Sequence, residues 1–186
     1  MAAQQPIVEK PATFENLIDR IFSGDTEGLQ RSYFDVATTP DFMKKLGIIG
    51  DKFTLAYGTI SRHIKKDDQH ALTPEIWKQL PEAIKTPFAI TSYKDGKTDG
   101  YRLYTTIQTD NGYVVVGVNV KTVANNVEVN SISTVFGKEG SRTEKEPEVL
   151  YESETITPQQ RSLLAKPNSL QYTANEGLSG GQRYNK

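Results

Sequence analysis

His63 and His70 are the residues of this chain best suited to chemistry at neutral pH. They are its only histidines, and they lie in or beside a basic segment, residues 44–68, with six basic and three acidic side chains. A histidine with a pKa near neutrality can donate or accept a proton at pH 7. Two of them could act as acid and base in cleaving a phosphodiester, with lysine or arginine stabilising the charge that develops. The alternative is that one histidine packs or caps while the other is solvated.

Other common chemistries lack their motifs. The histidines with Asp67 and Asp68 do not match a metal-ligand spacing such as His-Glu-x-x-His. The chain has no Gly-x-x-x-x-Gly-Lys loop, no dinucleotide fingerprint and no Gly-x-Ser-x-Gly turn. Because it has no cysteine, thiolate zinc sites, disulfides and a cysteine nucleophile are excluded. We therefore expect neither a metal nor a cofactor.

Length and composition indicate one soluble domain with tails. The chain has 186 residues, a formal charge of −1 and 36% apolar residues, and its mean hydropathy is −0.54. No apolar run approaches the roughly 18 residues of a membrane span, and the first residues lack the pattern of a secretion signal. We expect a cytoplasmic monomer that does not contact membranes. With a pI near 6.2, a polyanion would have to bind to a local patch.

The sequence divides into three parts. Residues 1–39 are predicted to be a partly disordered lead with one short helix, which Thr13 can cap. Residues 40–140 are predicted to form the main domain. Residues 141–186 are predicted to be an acidic linker, a short helix that begins with a capping box at Thr157, and a flexible tail.

The central residues predict an antiparallel sheet with two different faces. Asn111-Gly112 is a strong hairpin signal, and as a two-residue loop it would place Asp110 opposite Tyr113. Alternation then puts seven residues on a core face: Leu103, Thr105, Ile107, Val114, Val116, Val118 and Val120. The other face receives Arg102, Tyr104, Thr106, Gln108, Val115, Gly117, Asn119 and Lys121. In this register Arg102 lies opposite Lys121, and Tyr104 lies opposite Asn119.

A further strand over 127–136 is sorted in the same way. Val127, Val129 and Val135 are predicted to point into the core. Four residues are predicted on the polar side: Glu128, Asn130, Ile132 and Thr134. A sheet face with Arg, Tyr, Asn and Thr but little Glu or Lys is a candidate binding site. The equally open alternative is an ordinary exposed face of hydrogen-bonded threonines.

The order of several segments carries a family resemblance. Arg62-His63 precedes His70-Ala71-Leu72-Thr73, and a Leu-Pro…Pro block follows over 80–88. An Asn-Ser-Ile-Ser-Thr strand begins at Asn130. Together these segments resemble the phage and mobile-element nuclease-like domains of the barnase–EndoU–colicin–RelE group. The resemblance covers about residues 40–140 and is closest to the form found at the C-terminus of phage MuF-type proteins.

The resemblance implies an α+β fold in which N-terminal helices pack on one face of a four-stranded antiparallel sheet. It also implies a metal-independent RNase that uses a histidine and polar sheet residues. The histidine and polar sheet positions of the family correspond to five residues of this chain: His63, His70, Tyr104, Asn130 and Thr134. One departure is the lack of a clear glutamate base, because Glu128 lies at the start of its strand.

The function expected from these observations is RNA cleavage by a phage or conjugative-element toxin or effector. The expected catalytic residues are His63, His70, Tyr104 and Thr134. The expected RNA-binding residues are Arg62, Lys65, Arg102, Thr106, Asn119 and Asn130. The main alternative is an inactive RNA- or protein-binding module of the same fold, and a structural domain is a third. Expected partners are RNA and an immunity or host protein.

Overall fold

The computed structural model describes residues 13–64, 72–95, 98–124, 127–138 and 148–164. The helices are α1 (Phe14–Ser23), α2 (Asp41–Lys45), α3 (Tyr57–Arg62), α4 (Pro74–Ala83) and α5 (Pro158–Ser162). The strands are β1 (Tyr33–Thr38), β2 (Lys52–Ala56), β3 (Ala89–Asp95), β4 (Thr98–Thr109), β5 (Gly112–Ala124), β6 (Val127–Lys138) and β7 (Glu148–Glu152).

The described strands form one mixed sheet in the order β1-β2-β6-β5-β4-β3-β7. Neighbouring strands are antiparallel except β2 and β6, which are parallel. The expected fold class, four antiparallel strands with N-terminal helices on one face, is therefore wrong. Three short strands, β1, β2 and β7, join the predicted four. Their five or six residues carry little pattern of their own, and pairing with neighbouring strands of the sheet stabilises them.

Local sequence signals account for the two longest helices. Thr13 caps α1 as predicted, since its Oγ1 accepts a hydrogen bond from Asn16 N at 3.3 Å. Gly24 ends α1 with φ of 87°, a left-handed conformation that glycine adopts without strain. Helix α4 begins with Pro74 at its first position and continues through Pro81 to Ala83. The two helices pack against each other and share an exposed ion pair.

The apolar side chains form a large core on one face of the sheet and a small one on the other. The large core, here called the main core, combines helix residues such as Ile18 and Trp77 with sheet residues such as Phe53 and Leu103. The second core lies on the opposite face and includes Phe88, Ala89, Tyr104, Tyr113, Val115 and Leu163. Leu163 directly follows α5. The C-terminal segment therefore covers part of the face opposite the main core.

The β4–β5 hairpin has a different register from the predicted one. Thr109 pairs with Gly112, so the loop is Asp110-Asn111, and Gly112 has φ of 89°. An irregularity between Tyr104 and Gln108 shifts the register again, so that Tyr104 lies opposite Val115. The predicted pairings of Arg102 with Lys121 and of Tyr104 with Asn119 are therefore wrong.

The faces predicted for the side chains of this hairpin are nevertheless correct. The observed partner of Thr109 lies two residues from its predicted partner, and the observed partner of Tyr104 lies four residues from its predicted partner. Because side chains alternate with a period of two, an even shift leaves every side chain on its predicted face. Leu103, Val116 and Val118 belong to the main core, and Val115 belongs to the second core.

Strand β6 departs from simple alternation at Ser133. Gly117 pairs with Thr134 while Val118 pairs with Ile132, which leaves Ser133 as an extra, bulged residue. Its Oγ donates to the Gly117 carbonyl at 3.2 Å. Because the bulge changes which side chains share a face, Ile132 and Val135 both enter the main core. The predicted polar-side position of Ile132 is wrong.

Two further predictions for this strand also fail. Val127, expected to point into the core, is 49% exposed at the start of the strand. Asn130 faces the main-core side, because it pairs with Phe53 of β2 and lies two residues before Ile132. The predicted polar side of β6 therefore keeps Thr134 but loses Asn130.

Asn130 joins the parallel strand pair to the loop before β2. Its Nδ2 donates to the Gly50 carbonyl at 2.9 Å and to Thr39 Oγ1 at 2.8 Å. Its Oδ1 accepts from Gly50 N at 3.0 Å. Asn130 is fully buried, and a Cβ at position 50 would lie 2.7 Å from its backbone nitrogen. This side chain therefore stabilises the chain connection that precedes β2.

Replacing Asn130 should destabilise the protein strongly. The Asn130→Ala change removes three hydrogen bonds and leaves buried backbone groups of Gly50 without that partner, so we expect a loss of about 3 kcal/mol in unfolding free energy. Urea unfolding followed by circular dichroism measures it. Asn16→Ala, at an exposed position of α1, is the control and should cost less than about 0.5 kcal/mol. Similar losses in both variants would contradict this role.

Candidate functional site

Five polar side chains lie together on the face opposite the main core, and we call them the polar band: Tyr93, Arg102, Asn119, Ser131 and Thr134. Strand register places them there, because directly paired residues share a face. Gly100 pairs with Tyr93 and with Asn119, which in turn pairs with Ser131. Gly117 pairs with Arg102 and with Thr134. All five band side chains are partly exposed.

Two glycines allow the band to lie flat on the sheet. A Cβ at Gly100 would overlap the ring of Tyr93, so this ring lies across β4. Its hydroxyl donates to Asn119 Oδ1 on β5 at 3.3 Å. A Cβ at Gly117 would lie 2.7 Å from Thr134 Cγ2, so the threonine methyl occupies that space. The glycines therefore give a flat surface with an aromatic ring at one end.

Arg102 supplies the positive charge of the band. Its guanidinium carbon lies over the Tyr93 ring, 5.0 Å from the ring centroid. Such a cation–π contact contributes about 0.5–1 kcal/mol at an exposed site and keeps the guanidinium over the sheet. A guanidinium held in this way is suited to bind a phosphate or carboxylate.

Tyr104 lies at the border between the band and the second core. Burial raises the pKa of its hydroxyl, while the neighbouring charge of Arg102 opposes that rise. Thr91 lies close enough to the Tyr104 hydroxyl to lower its pKa as well. Thr91 Oγ1 is fully buried without a hydrogen-bond partner. The net effect keeps the Tyr104 hydroxyl protonated at neutral pH.

The structure brings together part of the predicted site. Arg102, Asn119 and Thr134 lie in the polar band, and Tyr104 borders it. Thr106 is exposed within the irregular part of β4, beyond Tyr104 from the band. These placements follow from the face assignment of the hairpin, which the sequence predicts correctly.

Other predicted residues lie elsewhere. His63 packs against Trp77 of the main core, with 6.2 Å between ring centroids. Arg62 is exposed at the end of α3, and its Nε donates to the Gly58 carbonyl. Asn130 is buried on the main-core side. Lys65 and His70 lie outside the described residues. The structure therefore separates His63 from the polar band by the thickness of the sheet.

Sequence reasoning missed Tyr93, Thr91 and Ser131. The first two alternate with Ile90, which belongs to the main core, so the period of two in β3 carries the signal. Simple alternation predicts Ser131 on the core face, and the bulge at Ser133 is the reason that it lies on the opposite face.

Two general features bear on the chemistry of the site. Within the described ranges, no group of three or more acidic or histidine side chains is arranged to hold a metal ion. None of the helices in that same part of the chain has the length and hydropathy needed to cross a membrane.

The family comparison matches the part of the chain that contains the band. A model of the phage MuF C-terminal domain matches residues 61–157, which are 97 of the 186 residues. The chain therefore belongs to the family of phage MuF C-terminal domains. Comparisons with curated proteins and with solved structures gave no match. The family match supports the phage part of the resemblance but not the barnase–EndoU–colicin–RelE nuclease part.

The pKa of Tyr104 gives a testable pH dependence. A pKa raised by folding stabilises the native state below the unfolded value of about 10, and this contribution is lost as pH rises through the folded pKa. The unfolding free energy should therefore fall above pH 10, and Tyr104→Phe should reduce that fall. Urea unfolding between pH 8 and about 11 measures it. Tyr33→Phe, at an exposed site, is the control, and equal slopes in all three proteins would contradict the assignment.

Proposed function

We propose that this phage MuF C-terminal domain binds RNA through the polar band. The observation that carries the proposal is the guanidinium of Arg102, held over Tyr93 at 5.0 Å on a flat and partly exposed sheet face. The proposal concerns the band only, since the net charge of −1 provides no general attraction for a polyanion.

The band offers the groups that RNA recognition uses. Arginine can bind a phosphate through two parallel hydrogen bonds, and hydroxyl and amide side chains can bind phosphate, sugar or base edges. The plane of a guanidinium can also stack with a base. Arg102, Asn119, Ser131 and Tyr93 supply these groups within two neighbouring rows of the sheet.

Among the side chains that the structure describes, the carboxylates on the same face do not cancel this attraction. The strand register places Asp35 and Glu152 on the same face as the band. Asp35 binds Lys52 at 2.7 Å, and Glu152 binds Arg161 at 3.2 Å. Because both carboxylates are ion-paired, their repulsion of a phosphate is reduced.

Removing the Arg102 charge should weaken RNA binding. We expect Arg102→Gln to lower the affinity for a fluorescent single-stranded RNA about tenfold, and to reduce the slope of log affinity against log salt by about 0.7. Fluorescence anisotropy across a salt series measures both. Arg20→Gln is the matched control, because it removes the same charge from α1, which packs into the main core.

Three outcomes would contradict the proposal. The first is the absence of RNA binding by folded wild-type protein at low salt. The second is an equal loss in the Arg102 and Arg20 variants, which would indicate an effect of overall charge. The third is equal affinity for a DNA strand of the same length, which would show that the 2′-hydroxyl is not recognised.

A metal-independent RNase is the second candidate, favoured by the Arg102 guanidinium on the partly exposed sheet face, which could stabilise the charge that develops on a phosphate. In such a reaction a base removes the 2′-hydroxyl proton, the 2′-oxygen attacks the phosphorus, and an acid protonates the departing 5′-oxygen. Arg102 could stabilise the charge on the phosphate, whereas Tyr104, which is protonated but only 1% exposed, is buried away from the departing oxygen. His63 and His70 are the sequence candidates for base and acid; His63 packs against Trp77 on the main-core side, and His70 lies outside the described residues.

The RNase candidate predicts cleavage that survives chelation. Purified protein in excess EDTA should cut single-stranded RNA, and Arg102→Gln should reduce the rate about a hundredfold, the effect of losing one group that stabilises the developing charge. His63→Ala and His70→Ala, measured beside it, identify a histidine base. Intact RNA with a wild-type protein that binds it would exclude the RNase and leave the binding function.

A further inference from the structure

We infer that the ligand is a single RNA strand that crosses the sheet at right angles to the β-strands and occupies about four nucleotides. This inference rests on the proposed RNA binding and specifies the kind of RNA and its path. It follows from the shape of the polar band and from the order of chemical groups along it.

The band is long across the sheet and short along it. It extends from Tyr93 on β3, across β4 and β5, to Ser131 and Thr134 on β6. Three strand spacings of about 4.8 Å give a length of about 14 Å. Its two rows are two residues apart along each of β4 and β5, or about 7 Å. The long axis is therefore perpendicular to the strands.

The second core limits the band on one side. Tyr104 and Val115 follow the Arg102–Gly117 row along the strands, and they pack with Phe136 and Leu163. A ligand cannot extend over this apolar cluster without covering the C-terminal segment. The two rows of the band, about 7 Å apart, are about as wide as one nucleic-acid strand.

The chemical groups follow the long axis in a useful order. The Arg102 guanidinium, which packs over the Tyr93 ring at one end, can bind a phosphate. Asn119 and then Ser131 offer hydrogen-bonding groups farther along the same direction. At about 3.4 Å for each stacked nucleotide, a length of about 14 Å holds about four nucleotides.

This arrangement favours a single strand over a duplex. Hydrogen bonding of base edges to Asn119 and Ser131 requires bases whose edges are open. In a duplex these groups are stacked and paired, so only the phosphates could reach the band. A duplex would therefore keep the Arg102 contact and lose the others.

A length series tests the inference with the unaltered protein. Affinities for oligouridylates of two, four and eight nucleotides and for an eight-base-pair RNA duplex are measured by anisotropy at one salt concentration. We expect at least tenfold tighter binding of four nucleotides than of two, a gain of less than threefold from four to eight, and at least tenfold weaker binding of the duplex.

A charge placed at the far end of the band tests the path. Ser131→Glu should weaken binding of the tetranucleotide about tenfold and binding of the dinucleotide less than threefold. Gln79→Glu is the matched control: it adds the same charge at an exposed position of α4, which packs into the main core, and should change neither affinity.

The outcomes separate the two proposals. Failure of every RNA to bind would overturn the proposed function itself. Duplex binding as tight as that of the single strand, or no gain from two to four nucleotides, would overturn the crossing single strand while leaving RNA binding intact. A folded Ser131→Glu protein with wild-type affinity for the tetranucleotide would also overturn the crossing single strand.

Discussion

The period-two alternation of β4 and β5 is the constraint on which the rest of this structure depends. Along these central strands, each step of one residue moves from the main core to the opposite face, as from Leu103 to Arg102 or from Val118 to Asn119. A one-residue slip would bury the charge and expose the aliphatic residues. The irregularity in β4 shifts the pairing by an even number and so preserves both surfaces.

Local patterns make part of the architecture predictable. The Thr13 cap, the capping box at Thr157 and the faces of the central hairpin are all confirmed, because each depends on residues close together in sequence. The hairpin register is not predictable in this way. The Thr105 hydroxyl binds the Val114 carbonyl at 2.9 Å and helps set the irregular pairing, a contact that no spacing rule reveals.

The wrong predictions concern residues at contacts between segments that are far apart in the sequence. No pattern in residues 33–56 shows that β2 will lie parallel to β6, and the Ser133 bulge is a feature of the pairing between β5 and β6 that alternation alone does not predict. These contacts take Asn130 into the main-core side, and packing against Trp77 takes His63 there too. Of the predicted site, the residues on the central hairpin come together, because their positions depend on alternation alone.

The parallel pairing of β2 with β6 has a consequence for how the chain reaches its native state. Asn130 and Gly50 are 80 residues apart, so a large loop must close before β2 gains its inner partner. During synthesis, Phe53 and Leu55 leave the ribosome long before β6 does. Contacts of this kind slow folding and leave apolar strands exposed to other chains in the interval. We therefore expect the hairpin at β4 and β5 to form early and the β1–β2 pair to join it late.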